Sequence, residues 1–422
     1  MNKDNFFPIK TKTACLLKWT WSTIFLNDGT TSSCHRVGRH KVSLDNFENF
    51  HNTPEKIAQR EVMLKGQWPQ PLDYMHKDEG CRYCEKIEKA GGQSDRQSHL
   101  QIPNLSPKEL SINPKQTTVT PKILEVFLGN TCNLACTYCA PNTSSKIQNE
   151  NNKHGEFNKN GLILQKFHTN KELNSQYIEK FFTWLEKNSN ELQRLHLLGG
   201  EPFYQKEFFR CVDFFEKHPN KNLEFNIVTN LMIDNNKLLL FLEQIKKMLI
   251  EKKIKRFDVT VSLDCLGPEQ EYARWGINLK TMTKNIESLM KNQWIYLNIN
   301  SVLSPLTIKT FPHLIKQINI WKKNYKINHH FQKVFSPEHH NPEIFGGEFW
   351  QEDLLNALSI MPESTPQEQN AKKYLNGISL QIKKSKSDPA LILRLITHLD
   401  ELDKRRNTNW KIVFPWLTKF IN

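Results

Sequence analysis

Residues 131–139 read TCNLACTYC and place three cysteines, Cys132, Cys136 and Cys139, on one short loop. The loop follows the apolar run ILEVFL at residues 123–128, which is typical of a buried strand. Thiolates are soft ligands that select iron–sulfur clusters, zinc or Cu(I). Structural zinc and a cubane cluster each take four ligands, so three thiols leave one metal position open to a small molecule. The alternatives are a zinc knuckle or simple burial of the thiols.

A second motif lies about sixty residues further along the chain. The apolar residues 195–198, LHLL, lead into GGEP at residues 199–202. Gly199 and Gly200 allow a backbone to approach a ligand closely, and Glu201 offers acceptors for a ligand ammonium group. This strand followed by GGEP strengthens the interpretation of the three cysteines as cluster ligands.

The two motifs resemble the signature of the radical SAM superfamily, in which an aromatic residue, here Tyr138, precedes the third cysteine. The resemblance implies a [4Fe-4S] cluster on Cys132, Cys136 and Cys139 whose open iron binds S-adenosylmethionine (SAM). It also implies that Tyr138 backs the adenine and that Glu201 takes the methionine amine. A flavodoxin or ferredoxin would supply one electron to the cluster. SAM would then break into methionine and a 5′-deoxyadenosyl radical that removes a hydrogen atom from the substrate.

Strand-like and helix-like segments alternate about six times between residues 122 and 340. The alternation predicts parallel βαβ units in an α/β fold, and the resemblance implies the partial (β/α)6 TIM-like barrel of radical SAM enzymes. The predicted strands lie near residues 123–128, 195–198, 223–228, 257–263, 295–302 and 329–334. Residues 141–161 have the asparagine-rich composition of a mobile insertion, and their place beside the cluster makes them a candidate substrate lid.

Polar side chains end several predicted strands, and ligands of such barrels meet the carboxyl ends of the strands. The resemblance implies that these residues hold the ribose hydroxyls and carboxylate of SAM; the candidates are Thr229, Asn230, Ser262, Asp264 and Asn300. Cys265 follows at the same end. It could donate a hydrogen atom to a substrate radical, as in epimerases. The favoured interpretation is a small buried apolar residue.

Four more cysteines lie in the first hundred residues, at Cys15, Cys34, Cys81 and Cys84. Residues 16–26 alternate like a strand, NDG at 27–29 predicts a tight turn, and CRYC at 81–84 opens a helical segment. Four thiols are a complete ligand set that can close around a metal. Their arrangement is similar to the auxiliary iron–sulfur modules called SPASM or twitch domains, here placed before the barrel rather than after it. A structural zinc ribbon is the alternative.

The chain of 422 residues is long enough for a barrel with additions. We expect an auxiliary module at 1–100, a linker at 101–121, the barrel at 122–340 and a helical C-terminal extension at 341–422. No apolar run is long enough to span a membrane and the start lacks the pattern of a secretory signal, so a cytoplasmic protein is expected. Nine cysteines clustered at ligand spacings fit metal binding in a reducing compartment.

The first functional hypothesis is modification of a peptide or protein, the commonest work of enzymes with such auxiliary modules. A second cluster could then accept an electron, making the net reaction an oxidation. A nucleoside- or tRNA-modifying enzyme is the alternative, supported only by the net charge of +14. A non-enzymatic zinc-binding nucleic-acid module would leave GGEP and the six units unexplained. His339 and His340 could ligate a metal, but no acidic or cysteine companion stands at ligand spacing, so no role is assigned.

Overall fold

Strands with buried apolar side chains form the central sheet of the protein. The computed structural model describes residues 13–34, 37–70, 80–89, 91, 94, 96–97 and 116–421. The strands are β1 (Trp21–Phe25), β2 (Thr30–Ser32), β3 (His40–Lys41), β4 (Ile123–Phe127), β5 (Ala135–Cys136), β6 (Phe157–Lys159), β7 (Leu162–Leu164), β8 (Arg194–Leu198), β9 (Glu224–Thr229), β10 (Arg256–Ser262), β11 (Arg274–Trp275), β12 (Ile295–Leu303) and β13 (Ile327–Lys333).

The helices carry apolar residues on the faces that cover the sheet or one another. They are α1 (Leu16–Thr20), α2 (Pro54–Leu64), α3 (Arg82–Lys89), α4 (Ser145–His154), α5 (Lys171–Asn188), α6 (Lys206–Lys217), α7 (Asn235–Ile250), α8 (Pro268–Ala273), α9 (Leu279–Met290), α10 (Phe311–Lys322), α11 (Gln351–Ile360), α12 (Pro366–Lys384), α13 (Pro389–Arg406) and α14 (Trp410–Val413). None of these helices combines the length and apolar composition that a membrane span requires.

The nine-stranded sheet has the order β13-β12-β10-β9-β8-β4-β1-β2-β3. All six predicted barrel strands are present, and β4, β8, β9, β10, β12 and β13 pair in parallel. One buried row crosses these strands in register: Val126, Leu197, Ile227, Val259, Leu297 and Ile327. A slip by one residue would turn such a row to the opposite face, so burial fixes the register. Within the described residues the sheet does not close into a complete barrel.

The N-terminal segment continues this sheet. β1 pairs in parallel with β4, placing Ile24 opposite Val126, and the turn after β1 leads into antiparallel β2. The predicted strand over residues 16–26 is therefore wrong in its first half, because residues 16–20 form α1. Every side chain of α1 is buried, including Lys18, whose ammonium group donates to Gln59. A segment buried on all sides gives no reliable two-residue period, which explains the error.

Residues 141–161, predicted from their composition to be a mobile insertion, contain regular secondary structure, and their mobility stays a prediction. Residues 145–154 form α4, with Ser144 as its N-cap, and β6 and β7 form a hairpin after it. The asparagines that suggested mobility make hydrogen bonds: Asn151 donates to the Gln165 carbonyl at 3.1 Å and Asn152 to the Phe167 carbonyl at 3.3 Å. Polar composition thus reflects side-chain contacts to backbone here.

The C-terminal helices α11 to α14 confirm the predicted helical extension. Helix α13 lies against α4, where Arg406 forms an ion pair with Glu150 at 2.8 Å. It also contacts α8, where the Tyr272 hydroxyl donates to Asp403 at 2.8 Å. The predicted boundaries at residues 100, 121 and 340 stay predictions, and most of the linker lies outside the described residues.

Candidate active site

The three-cysteine loop follows β4 and is fastened at several points. β5 pairs with β11, so Cys136 lies opposite Arg274, and the Thr137 amide donates to the Ala273 carbonyl at 2.8 Å. The Cys132 amide donates to the Ser145 hydroxyl at 3.0 Å. These contacts come from α4 and from the segment after β10. They hold the loop at the carboxyl end of the sheet.

The structure brings the three predicted cluster thiols together. The thiols of Cys136 and Cys139 share a hydrogen bond, and Cys132 is close enough to interact electrostatically with both. Burial raises the pKa of Cys132 to about 12, and the pKa of Cys139 is raised because its thiol donates to Cys136. The same hydrogen bond lowers the pKa of Cys136. Three thiols that lie this close together fit the donor set of an iron cluster.

The GGEP glycines lie against the backbone of this loop. Gly199 and Gly200 both have positive φ, +85° and +56°. A Cβ on Gly200 would stand 2.1 Å from the Thr131 carbonyl oxygen, and one on Gly199 would stand 2.8 Å from the Gly129 carbonyl oxygen. Real Cβ atoms do not approach oxygen so closely. The glycines are required so that the loop and the end of β8 can meet.

Glu201 is only 1% exposed and joins the ends of β8 and β9. Its carboxylate accepts from the Thr229 hydroxyl at 2.6 Å, the Asn230 amide at 2.7 Å and the Phe203 amide at 3.3 Å. Asn230 in turn donates through its side chain to Asn133 on the cysteine loop at 2.8 Å. Burial raises the pKa of Glu201 to about 7, although the three hydrogen bonds oppose the shift. A cation at this carboxylate would favour its ionised form.

Asp264, at the end of β10, is fully buried and accepts four hydrogen bonds. Two come from the Arg274 guanidinium at 2.8 and 2.9 Å, one from the Val302 amide at 2.8 Å and one from the Tyr138 hydroxyl. Desolvation opposes the charge on Arg274, but Asp264, Tyr138 and Cys136 together hold the pKa of Arg274 well above its usual value. This network orients Tyr138 beside the cysteines.

The other strand-end candidates lie near these two networks. Ser262 is buried at the end of β10, and Asn300, which is half-buried on β12, pairs with it in register. Contact of either residue with SAM stays a prediction. Cys265 is fully buried, its sulfur lies 3.8 Å from the Gln270 side-chain oxygen, and burial raises the pKa of its thiol well above the usual value. Such burial fits a packing role; hydrogen-atom donation by Cys265 stays a prediction.

A cavity of about 380 Å³ opens beside the cysteine loop, which is within the usual size range of small-molecule sites. Cys136, Tyr138 and Cys139 line one side. The predicted SAM-binding residues at the ends of β8, β9, β10 and β12 are not among the residues that line this cavity. The opposite walls come from α4, the β6–β7 hairpin and α13. The candidate lid and the C-terminal extension thus shape this cavity together.

The four N-terminal cysteines also come together. Cys15, Cys34, Cys81 and Cys84 line one small cavity of about 20 Å³, with apolar neighbours such as Met63. Burial raises the pKa of Cys15 to about 12, and the nearby thiols Cys34 and Cys81 raise it further, whereas Lys18 and Arg96 act in the opposite direction. Four thiols around one point match a complete metal ligand set.

Two contributors to the site carry no signal in the sequence. Arg274 lies in the segment YARWG at residues 272–276, and nothing in its spacing points to Asp264. His398 lies in the middle of α13, about sixty residues after His339 and His340, yet the three histidines meet in the structure. Only the path of the chain brings these side chains to their partners.

The sequence profile described as "Radical SAM superfamily" matches residues 126–318. These residues include the three-cysteine loop, GGEP and the strands from β8 to β12. The "Radical SAM cyclopropyl synthase TigE" of Paramaledivibacter caminithermalis is 27% identical over 223 residues, which cover 51% of this chain and 42% of that protein. The match therefore spans less than half the length of this curated relative.

Changing Gly200 to Ala should displace the cysteine loop, because the new Cβ would stand 2.1 Å from the Thr131 carbonyl. We expect the variant to lose most of the iron held by Cys132, Cys136 and Cys139 after anaerobic reconstitution, measured as iron per chain.

The matched control is Gly377→Ala, on α12, where a Cβ would meet nothing within 4 Å. Its iron content should equal that of wild type, with a helix stabilised by about 1 kcal/mol or less. Equal iron content in Gly200→Ala and Gly377→Ala would show that the close approach does not matter for the loop.

Proposed function

Because residues 126–318 belong to the radical SAM superfamily, we propose that Cys132, Cys136 and Cys139 hold the [4Fe-4S] cluster of a radical SAM enzyme that modifies a peptide or protein. The observation that carries the proposal is the convergence of three thiols, with no fourth cysteine of the described chain among them, at the carboxyl end of a parallel sheet. Membership in this superfamily excludes the alternative of a non-enzymatic zinc-binding module.

Enzymes of this superfamily use a [4Fe-4S] cluster, SAM and a reductant, which together supply a 5′-deoxyadenosyl radical able to abstract hydrogen from carbon. The chain's own residues position the reactants. Glu201 has acceptor capacity for the methionine ammonium of SAM. The carboxylate of Glu201 is held in place by hydrogen bonds from Thr229 and Asn230. Tyr138, fixed through Asp264, presents its ring beside the cluster thiols for the adenine. A flavodoxin or ferredoxin is the proposed reductant.

We propose that a segment of the peptide or protein substrate enters the cavity beside the cluster. Its walls include both the cluster thiols and elements outside the six-stranded sheet, so a side chain inserted there would lie next to the radical source. The curated relative is by its name a cyclopropyl synthase. We propose that this chain abstracts a hydrogen atom from an unactivated C–H position of its substrate. Nucleoside or tRNA modification remains the alternative substrate class, with only the net charge of +14 in its favour.

The four N-terminal cysteines are proposed to hold a second metal centre. The order Cys15, Gly29, Cys34 resembles the ligand hairpin of SPASM and twitch modules, and this resemblance implies an auxiliary [4Fe-4S] cluster, which when bound can accept an electron. A structural zinc ion is the alternative, because four thiolates are also a complete ligand set for zinc. The two possibilities predict different iron contents, so metal analysis separates them.

The proposed function is tested by iron counting and EPR after anaerobic reconstitution, on wild type and on a variant with Cys132, Cys136 and Cys139 all changed to Ala. With two clusters, wild type should hold about eight irons and the variant about four, since each cluster carries about four. Only wild type should show an EPR signal that changes when SAM is added.

Zinc at the N-terminal site would instead give about four irons in wild type and almost none in the variant. Iron that stays in the variant together with a SAM-sensitive signal would contradict the assignment of the three loop cysteines. The matched control changes the buried Cys211, on α6 and outside both sites, to Ala; its iron content should not differ from wild type.

Glu201 gives the site a pH dependence. Its ionised form binds the SAM ammonium, and its pKa is raised to about 7, so SAM affinity should fall as the pH drops from 8 to 6. Glu201→Gln should weaken SAM binding on the order of 10- to 100-fold at pH 8, the size expected for loss of one charge-assisted hydrogen bond, and should remove the pH dependence.

Equilibrium SAM binding to the reconstituted protein at several pH values measures both effects. Glu243→Gln, at an exposed position of α7, is the matched control and should behave like wild type. A Glu201→Gln variant with wild-type affinity at pH 8 would sink the role of Glu201 in holding the amine.

A further inference from the structure

Three buried histidines meet at the wall of the large cavity, outside both cysteine sites. His339 and His340 come from the short turn Glu338–His340 after β13, and His398 comes from α13. Nε2 of His339 lies 3.0 Å from Nδ1 of His398, and Nε2 of His340 lies 3.2 Å from the same atom. One nitrogen of each ring is within 4.8 Å of the other two.

Hydrogen bonding alone accounts poorly for this arrangement. A neutral imidazole nitrogen carries either one proton or one lone pair, so Nδ1 of His398 forms one good hydrogen bond and not two. Two ring nitrogens nevertheless approach it. Nδ1 of His340 is also buried and has no hydrogen-bond partner within the described chain. Three ring nitrogens that point at one another are instead arranged as three lone pairs would be around a single cation.

The spacing agrees with metal coordination. Zinc–nitrogen bonds of about 2.0–2.1 Å in tetrahedral geometry separate two ligand nitrogens by roughly 3.3 Å. Two of the observed separations, 3.0 and 3.2 Å, are close to that value. Burial lowers the pKa of His339 to about 4 and holds those of His340 and His398 well below the usual value, so all three rings are neutral ligands at neutral pH.

One side of the three-histidine group is open to the large cavity. His339 and His398 line the cavity of about 380 Å³ that Cys136, Tyr138 and Cys139 also line. The ring of His340 meets the Tyr138 ring edge-on at 6.4 Å between centroids. A metal held by three histidines therefore keeps a fourth position that faces the cavity, as in catalytic zinc sites.

Three arginines of the described chain act electrostatically on these histidines. Arg394 acts on His339, and Arg405 and Arg406 act on His398. Arg405 is paired with Glu401 at 2.6 Å and Arg406 with Glu150 at 2.8 Å, so both are largely neutralised. The remaining positive charge at Arg394 favours an anionic fourth ligand on the metal, such as hydroxide or a carboxylate.

We propose that His339, His340 and His398 bind one divalent transition-metal ion, with its open position directed into the cavity beside the three-cysteine loop. The ligand class for that position is a water, hydroxide or carboxylate oxygen. The proposed histidine site does not depend on which metal the cysteines hold, because its three ligands are separate from all seven site cysteines.

The test uses the full-length protein, reconstituted with iron and sulfide so that the thiols are occupied, and then given one equivalent of Zn²⁺ and freed of unbound metal. Wild type should retain about one more zinc per chain than His398→Gln, because an amide keeps hydrogen bonding but is a poor zinc ligand. His313→Gln, an exposed histidine on α10, is the matched control and should retain the wild-type amount.

Zinc X-ray absorption on wild type decides the ligands without any variant, even if His398→Gln fails to fold. The expected first shell contains nitrogen or oxygen at about 2.0–2.1 Å with imidazole scattering beyond it. A first shell of sulfur alone at about 2.3 Å, or equal zinc in wild type and in folded His398→Gln, would overturn the proposal.

Discussion

The contact between the GGEP segment and the three-cysteine loop determines the geometry of the site. Gly200 approaches the Thr131 carbonyl so closely that no side chain fits, and the Glu201 amide donates to that carbonyl at 2.9 Å. This places the loop after β4 directly on the end of β8. The carboxylate of Glu201 then reaches the end of β9, and Asn230 there reaches back to the loop. Three strand ends and the cysteines are thereby positioned by backbone contacts and one buried carboxylate.

Buried charge holds the other side of the loop. Asp264 and Arg274 form an ion pair inside the protein, and Tyr138 is attached to it through its hydroxyl. A buried ion pair adds little to the free energy of unfolding, because both charges lose solvation on burial. The pair fixes the position of Tyr138 between the three loop cysteines and the histidines. Helix α13 closes another side of the large cavity, where Arg406 forms an ion pair with Glu150. Elements far apart in sequence thus share one cavity.

The parts of this protein that sequence predicts well are those set by local patterns. The six parallel strands follow from apolar runs between amphipathic helices, and the grouping of the cluster cysteines follows from their spacing on one loop. The error at α1 has a physical cause. Residues 16–20 are buried on every side, so their alternation was misleading. Arg274 and His398 act through contacts made only by the folded chain, which no spacing rule detects.

We propose that the three-cysteine loop, held by GGEP, forms a site at which SAM is cleaved. The most direct measurement is the formation of 5′-deoxyadenosine and methionine from SAM by the anaerobically reconstituted protein with a one-electron reductant. Wild type should form both products in equal amounts, and the variant lacking Cys132, Cys136 and Cys139 should form neither. Product formation by that variant, or no product from a wild-type protein that carries its iron and binds SAM, would contradict the claim.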